Sequence, residues 1–408
     1  MEKHRFTCVV IAGLLGVAAS ASAGSIKLNN FQAASVVIGQ ADFSGGSTNQ
    51  GGSAGANTLA HPYGECVVGP GGVLYLSDEG NNRVLGFKKV PTSNNASADF
   101  VLGQPDFTTT TAGDSDDEMG DPETMVIAGA KLIVDDFINH RVLIFNKAPR
   151  STGAAADVVV GQPGFNSNAS GCAQGSLSYP ESLTVSAGKL IVADSGNHRV
   201  LIWKKIPRSN GAPADLVLGQ NDFNTCVSNN NGSGVAGNPS ASNLAYPSGI
   251  WSSGTRLIIN DSDNNRVLIW KKFPKTSFQP ADIVLGQPDF TSKVANNDGS
   301  GSMGSPSARN LTYPYIGLYF NGSQLFVGDW TNNRVLIWKS LPKTNFQPAD
   351  MVLGQPDLTS GVANNDGSGA SGSPSAQNLD NPVGIYQKGK KLFVTDNHNN
   401  RYLIYQGK

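Results

Sequence analysis

The sequence predicts an all-β protein in which six four-stranded units close into a ring, and three recurring markers carry that prediction. The first is a turn and apolar run, Asp194-Ser195-Gly196-Asn197-His198-Arg199 continued by Val200 to Trp203. It recurs with an Asp five positions before an Arg at Asp78 and Arg83, Asp136 and Arg141, Asp194 and Arg199, Asp261 and Arg266, Asp329 and Arg334, and Asp396 and Arg401. The second is an apolar segment ending in Gly-Gln, at Gln40, Gln104, Gln162, Gln220, Gln287 and Gln355, and each of the last five follows a turn Arg by 21 positions. The third is a Pro at 62, 122, 180, 247, 314 and 382, which lies 19 to 21 residues before each turn Arg. Only the stretch from Gln to Pro varies, from 18 to 27 residues, so the insertions are confined to one connection. A chain of 408 residues would by length alone suggest two or three domains, but a closed ring of similar units is one domain at this size.

In chain order, the first 23 residues read as a secretory signal peptide: Lys3, His4 and Arg5, an apolar run from Cys8 to Ala19, then Ala21-Ser22-Ala23. The run is too short to span a bilayer. The mature chain, 24–408, is therefore expected to be a single exported domain, periplasmic or extracellular, that does not span a membrane. Removing Glu2, Lys3 and Arg5 leaves 28 basic (30 − 2) and 30 acidic (31 − 1) residues, a formal charge of −2 without the basic excess of a nucleic-acid binder.

Each unit reads as strand a after the Pro (Ser182 to Ser186), strand b before the Asp (Lys189 to Ala193), strand c from the Arg (Arg199 to Trp203) and strand d before the Gln (Asp215 to Leu218). Val, Leu, Ile, Trp and Phe dominate these runs, as suits pleated, half-buried surfaces, and no segment sustains a helical period. Unit boundaries fall near 45, 109, 167, 225, 292 and 360. The first Gly-Gln motif, 36–40, has no strands a to c before it, and Lys408 comes seven residues after Arg401, before any sixth strand d. Pairing the N-terminal strand with the C-terminal strands completes the sixth sheet and hides both edges.

Asn197-His198-Arg199, with Asp194 before it and Pro180 upstream, resembles the NHL repeat, and Asn139-His140-Arg141 repeats it. In the other units Asn82, Asn265, Asn333 and Asn400 replace the His. The resemblance covers residues 35–408 and implies a six-bladed β-propeller, with a Gly-Gln-Pro-Asp-Phe tail on strand d and a unit length beyond the usual blade.

The repeated Asp and Arg are read as structural, because six symmetric copies make an architecture, whereas an active site needs an asymmetric set. His140 and His198 share that assignment. Strand order puts the b–c turns and all long insertions at one end of the ring, where recognition is expected. There the loop from Asp114 to Asp121 holds five carboxylates in eight residues, including Asp116 and Asp117. Together with Glu123 and Glu181 these form a candidate Ca²⁺ site. The residues after the repeated Pro, namely Tyr63, Glu123, Glu181, Ser248, Tyr315 and Val383, are expected at the channel mouth. The amidating lyase of the resembled family holds zinc through channel histidines, and no His occurs in this set. Glu123 and Glu181 remain as a carboxylate pair for Ca²⁺ or acid–base chemistry.

The loops at Asn296-Asn297-Asp298-Gly299 and Asn364-Asn365-Asp366-Gly367, with Asn229-Asn230-Asn231-Gly232 before them, read as hydrogen-bonded turns or a polar rim. Cys172 and Cys226, ten and six residues after their Gln, are expected to form a disulfide, and Cys66 to be a buried free thiol. The c–d hairpins at the other end carry a ring of Lys and Arg, including Lys88, Lys204, Lys205 and Arg208. The expected function is an exported, non-catalytic scaffold that takes a protein or carbohydrate partner through its long loops, with either no cofactor or a bound Ca²⁺. The alternative is a metal-dependent lyase or lactonase with its site at the channel mouth.

Overall fold

The computed structural model describes residues 24–408, so the signal-peptide segment 1–23 lies outside the described residues. β1 (Val36–Ile38) precedes the first blade, formed by β2 (Cys66–Val68), β3 (Leu74–Asp78), β4 (Arg83–Phe87) and β5 (Phe100–Leu102). The second blade holds β6 (Met125–Ala128), β7 (Lys131–Asp136), β8 (Arg141–Phe145) and β9 (Val158–Val160), and the third holds β10 (Pro180–Ser186), β11 (Lys189–Asp194), β12 (Arg199–Trp203) and β13 (Leu216–Leu218). The fourth comprises β14 (Pro247–Ser252), β15 (Leu257–Asp261), β16 (Arg266–Trp270) and β17 (Ile283–Leu285). The fifth comprises β18 (Pro314–Phe320), β19 (Leu325–Asp329), β20 (Arg334–Trp338) and β21 (Met351–Leu353), and β22 (Pro382–Lys388), β23 (Lys391–Asp396) and β24 (Arg401–Gln406) begin the sixth.

Each blade is a four-stranded antiparallel sheet, and the sixth has the order β1-β24-β23-β22, so the N-terminal strand closes the ring as expected. Val36, Val37 and Ile38 face Ile404, Leu403 and Tyr402. The described residues contain short 3₁₀ turns and no α-helix, and no helix is long and apolar enough to cross a membrane. Strand a begins at Pro180 rather than Ser182, and strand d at Leu216 rather than Asp215. The Asp215 carboxylate instead accepts the Lys204 N–H, closing the c–d hairpin.

The core lies between neighbouring sheets. Ile191, Val200 and Ile202 of the third blade pack on Ile250, Leu257, Leu268 and Trp270 of the fourth. Alternation along each strand sends one apolar row to each neighbour, and burial of such side chains is the main favourable term.

The six turn pairs are fully buried, with Nε to Oδ2 distances of 2.6 to 2.7 Å. The second Asp194 oxygen accepts the Ser178 N–H and Oδ2 also accepts from Asn197, while Arg199 donates to the carbonyls of Phe223, Ala173 and Ser176. Burial pushes Asp136 up to about 6, opposed by the Arg141 charge, so the pair stays ionised near neutral pH.

The same turns show why His and Asn interchange. Asn82, His140, His198, Asn265, Asn333 and Asn400 all sit in the left-handed region, which His and Asn tolerate better than most residues. Each offers Oδ1 or Nδ1 to the backbone N–H of the residue before the next blade's Pro, at 2.7 to 3.0 Å. One acceptor per blade rivets it to its neighbour, and Asn400 to His61 closes the circle. His198→Asn should therefore be nearly neutral, whereas His198→Ala should cost about 1–3 kcal/mol by orphaning the Tyr246 N–H. Urea unfolding of both variants checks this, and equal losses would reject the rivet.

Cys172 and Cys226 form the expected disulfide across 54 residues of sequence, and Cys66 is a buried free thiol. A closed loop of that length stabilises by about 4 kcal/mol through the unfolded chain. Reduction or a Cys172→Ser, Cys226→Ser pair should lower the thermal midpoint accordingly, checked by calorimetry with and without reductant.

Candidate functional site

In five blades the turn Arg reaches carbonyls of both flanking long connections, and Arg141 reaches three in the connection before its blade, which places b–c turns and insertions at one end of the ring. The Asn-rich loops on this face are internally bonded turns. Asn297 donates to Gln287 Oε1 and its Oδ1 accepts from Gly299 and Gly301, and Asn365 does the same with Gln355, Gly367 and Gly369. Asp298 and Asp366 each accept from the serine two residues on. Their polar groups are thus largely used within the loops.

At the centre of this face, symmetry gives way to chemistry at three positions per blade. The residue before each repeated Pro (His61, Asp121, Tyr179, Tyr246, Tyr313, Asn381) has a positive φ of 43° to 54°. The residue after it falls, in β10, β14, β18 and β22, at a break in the ladder register. A bulge of this kind re-aims a side chain out of the sheet pattern. The third position follows the turn Asp and is occupied by Glu79, Phe137, Ser195, Ser262, Trp330 and Asn397. Carboxyls gather on one side, as Glu79, Asp121, Glu123 and Glu181. Aromatic rings gather on the other, where Tyr63, Tyr246, Tyr313 and Trp330 pack with buried Tyr315, Ile316 and Val383. Tyr313 stacks on Tyr315 at 5.6 Å, and Tyr63 meets Tyr315 edge-on at 5.3 Å.

Close backbone approach brings the inner strands together. A Cβ on Gly64 would lie 1.5 Å from the Glu123 carbonyl oxygen, so no side chain fits there and the Glu123 backbone is set by this contact. Asp135 holds the same segment, accepting from the N–H groups of Glu123 (3.0 Å) and Thr124 (2.6 Å) and from the Thr124 hydroxyl (2.5 Å).

Glu123 and Glu181 are 1% and 0% exposed, so the expected pair is sealed beneath the aromatic rings rather than open at a channel mouth. Tyr246 donates its hydroxyl to Glu181 Oε1 at 2.5 Å. The Oε2 atoms of Glu79, Glu123 and Glu181 are buried without a hydrogen-bond partner among the described residues, as is Trp330 Nε1. Burial pushes Glu181 up to about 7, with Tyr246, Tyr315 and Glu123 stabilising its anion in part. Burial, then Asp121 and Glu181, push Glu79 up to about 9, and burial followed by Glu181 and Glu79 holds Glu123 well above the carboxylate range. Folding therefore favours the protonated forms. That contribution is complete below the unfolded value of about 4.5 and is lost as pH rises through about 7 for Glu181 and about 9 for Glu79. The unfolding midpoint should fall from pH 5 to pH 9, and Glu181→Gln should flatten that fall. An unchanged slope in urea titrations of the variant would count against this account.

The other sequence-expected ligands lie apart from this centre. Asp116 and Asp117 are exposed and Asp114 half-buried, in a loop whose backbone carbonyls at Asp114, Ser115 and Glu118 are clamped by Arg141. Among the described residues, no three His, Cys, Asp or Glu side chains converge as ligands for a metal ion. His140 and His198 are taken up as inter-blade acceptors. At the opposite end, a cleft of about 830 Å³ is lined by Lys131, Lys204, Lys205, Arg208 and Trp203, matching the basic rim expected there.

Sequence reasoning passed over Glu79, Asp135 and the rings of Tyr246, Tyr313 and Trp330. A signal was present for Asp135: the position before the turn Asp reads Ser77, Asp135, Ala193, Asn260, Gly328 and Thr395, with one charge among small and neutral residues.

The family model for the NHL repeat matches residues 177–203, which span the end of the connection into the third blade through its strand c, and the fold is consistent with an NHL-repeat propeller. No curated protein matches the sequence. Solved structures that resemble the fold include a streptogramin B lyase, at 10% identity and a TM-score of 0.43 over 86% of this chain and 84% of that one. A virginiamycin B lyase from Staphylococcus aureus aligns at 12% identity and a TM-score of 0.42, over 86% and 97%. A computationally designed protein, Ika8, aligns at 6% identity and 0.36, over 84% and 70%.

Proposed function

We propose that this NHL-repeat propeller is an exported, non-catalytic recognition scaffold that takes a protein or carbohydrate partner on its long-loop face. The observation that carries the reading is the asymmetric centre of that face. In a ring whose repeated Asp and Arg groups are all paired, three carboxyl oxygens and an indole N–H there stay unpaired beside a wall of tyrosines. Aromatic rings with one apolar and one polar end are suited to recognition. The disulfide between neighbouring loops fits an oxidising, exported setting. A lyase or lactonase dependent on Ca²⁺ or zinc needs a convergent ligand set, and that chemistry is the competing outcome of the test.

The test is capture, by the immobilised chain, of glycans from a defined panel and of proteins from the exported fraction, in wild type and in a Tyr313→Ala, Trp330→Ala variant. Loss of a captured partner in the variant is the expected result. Capture unaffected by the variant, or stoichiometric metal by elemental analysis coupled to turnover of a lactone, would overturn the reading.

A further inference from the structure

One end of the ring gathers nearly all the positive charge that the buried pairs do not use. Residues 24–408 hold 28 Lys and Arg, of which six are the buried turn Arg. All the others except Lys293 and Arg309, 20 (28 − 6 − 2) in number, lie at the a–b turns, the c–d connections or the two terminal segments, which meet where the Lys408 N–H donates to the Lys27 carbonyl. In antiparallel blades these share the end opposite the b–c turns. All 20 are exposed except Lys131, Lys189 and Lys391, which are half-buried. The acidic residues at that end are Asp99, Asp157, Asp215, Asp282 and Asp350, and each accepts a backbone N–H at the start of its own c–d connection. Among the described residues only Lys88 and Lys204 of the 20 meet a carboxylate, at 3.8 and 3.9 Å with both partners exposed. The end keeps a formal excess of +15 (20 − 5) in a mature chain of −2, so the long-loop end is acidic.

We propose that this end docks flat on an anionic lipid bilayer, held by electrostatics without insertion, so that the long-loop face points away from the membrane. Three properties select a charged plane over other polyanions. The charge is spread over all six blades rather than gathered in one pocket, which matches an extended surface. Of the 20 residues 17 are Lys and three are Arg. Hydrated point charges attract headgroups in any arrangement, whereas a specific phosphate or sulfate site favours the planar fork of Arg. The aromatic rings, finally, are withdrawn. Trp203, Trp270 and Trp338 are 2%, 1% and 0% exposed and donate Nε1 to carbonyls of their own c–d connections. The exposed large hydrophobic side chains among the described residues, Ile138, Tyr179, Val235 and Met303, belong to the long-loop end. The basic end thus offers no exposed ring to stack on a sugar and no apolar wedge to enter the acyl region. An acidic leaflet attracts each nearby Lys or Arg with a gain of roughly fivefold in partition, and the attraction fades within a Debye length.

The experiment is sedimentation of the mature chain with vesicles of equimolar phosphatidylglycerol and phosphatidylcholine, and with vesicles of phosphatidylcholine alone. Binding to the first at low salt is expected, with none to the second, and release at about 1 M salt, where the Debye length is about 3 Å. A Lys271→Gln, Lys272→Gln, Lys275→Gln variant of the fourth blade and a Lys88→Gln, Lys89→Gln variant of the first, opposite it in the ring, should each lower the partition at least about tenfold. Lys293→Gln, on the long-loop end, should bind as wild type. All these side chains except that of Lys293 are at the basic end and exposed, and an unchanged thermal midpoint shows that the fold is kept. Equal binding to neutral vesicles, binding that survives 1 M salt, or a loss confined to one of the two blades would overturn flat electrostatic docking. Absence of vesicle binding would overturn it too; retention on a sulfated polysaccharide would then point to a polyanionic glycan, and a salt-sensitive shift to larger species on size exclusion to a second copy stacked by its acidic face. None of these arms involves Tyr313 or Trp330, so their failure leaves the recognition reading of the long-loop face to its own test.

Discussion

Arg199→Met is expected to destabilise the fold by about 3–5 kcal/mol, the typical consequence of removing one partner of a buried ion pair. The loss is large because four interactions go together. The guanidinium meets Asp194 at 2.7 Å and the carbonyls of Phe223 (2.5 Å), Ala173 (2.9 Å) and Ser176 (3.1 Å), so one residue ties the turn to the loops before and after its blade. Methionine fills much of the volume but leaves Asp194 buried without its countercharge. Arg199→Lys should recover little, since a single ammonium cannot reproduce the planar fork that spans these acceptors. Urea unfolding of the two variants measures this. A loss below about 1 kcal/mol in Arg199→Met would place the pair among surface-like ion pairs and reject the architectural role.

A chain beginning at Gly45 is expected to lose its cooperative fold. Removing the preceding segment deletes β1, whose Val36, Val37 and Ile38 are 6%, 0% and 1% exposed. At roughly 1.5–3 kcal/mol per buried aliphatic side chain, the three together approach the whole margin of a typical domain. The deletion also strips Arg401 of the Phe43 carbonyl and removes the Ser35 N–H bond to the Ile404 carbonyl. β24 would then present an unpaired edge of apolar residues, open to pairing with other chains. Size-exclusion chromatography and thermal unfolding against the full chain give the readout, and adding residues 24–44 as a peptide should partly restore the full chain's elution and midpoint. An unshifted midpoint in the truncated chain would show that the ring holds without this closure.

The fold was legible because its devices repeat. The spacing of Asp, Arg, Gln and Pro marks the turns, and the apolar runs between them mark strands whose neighbours are set by short connections. Ring closure followed from the unpaired Gly-Gln motif at 36–40 and was realised by β1 against β24. Cys172 and Cys226 were legible for the same reason, since equivalent loops of adjacent blades run side by side. The interchange of His and Asn was visible, but its meaning needed coordinates. The acceptor serves the next blade, some 39 to 48 residues away, and no local rule points there.

The candidate site was legible only in part. Glu123 and Glu181 stood out as charges at a position otherwise neutral, and the structure brings them together. Asp114, Asp116 and Asp117 stood out by density alone, yet their loop faces solvent while its backbone is clamped by Arg141.

The sequence by itself determined the number of blades and the place of the insertions, because each rests on local spacing repeated six times. Only the tertiary structure decided which non-repeating side chains share the ring centre and which are sealed from water. Glu79 and Tyr246 come from different blades from Glu123 and Glu181, and only the assembled ring brings them beside that pair. Their protonation and their unpaired oxygens then follow from burial, a property of the assembled ring that no single repeat contains.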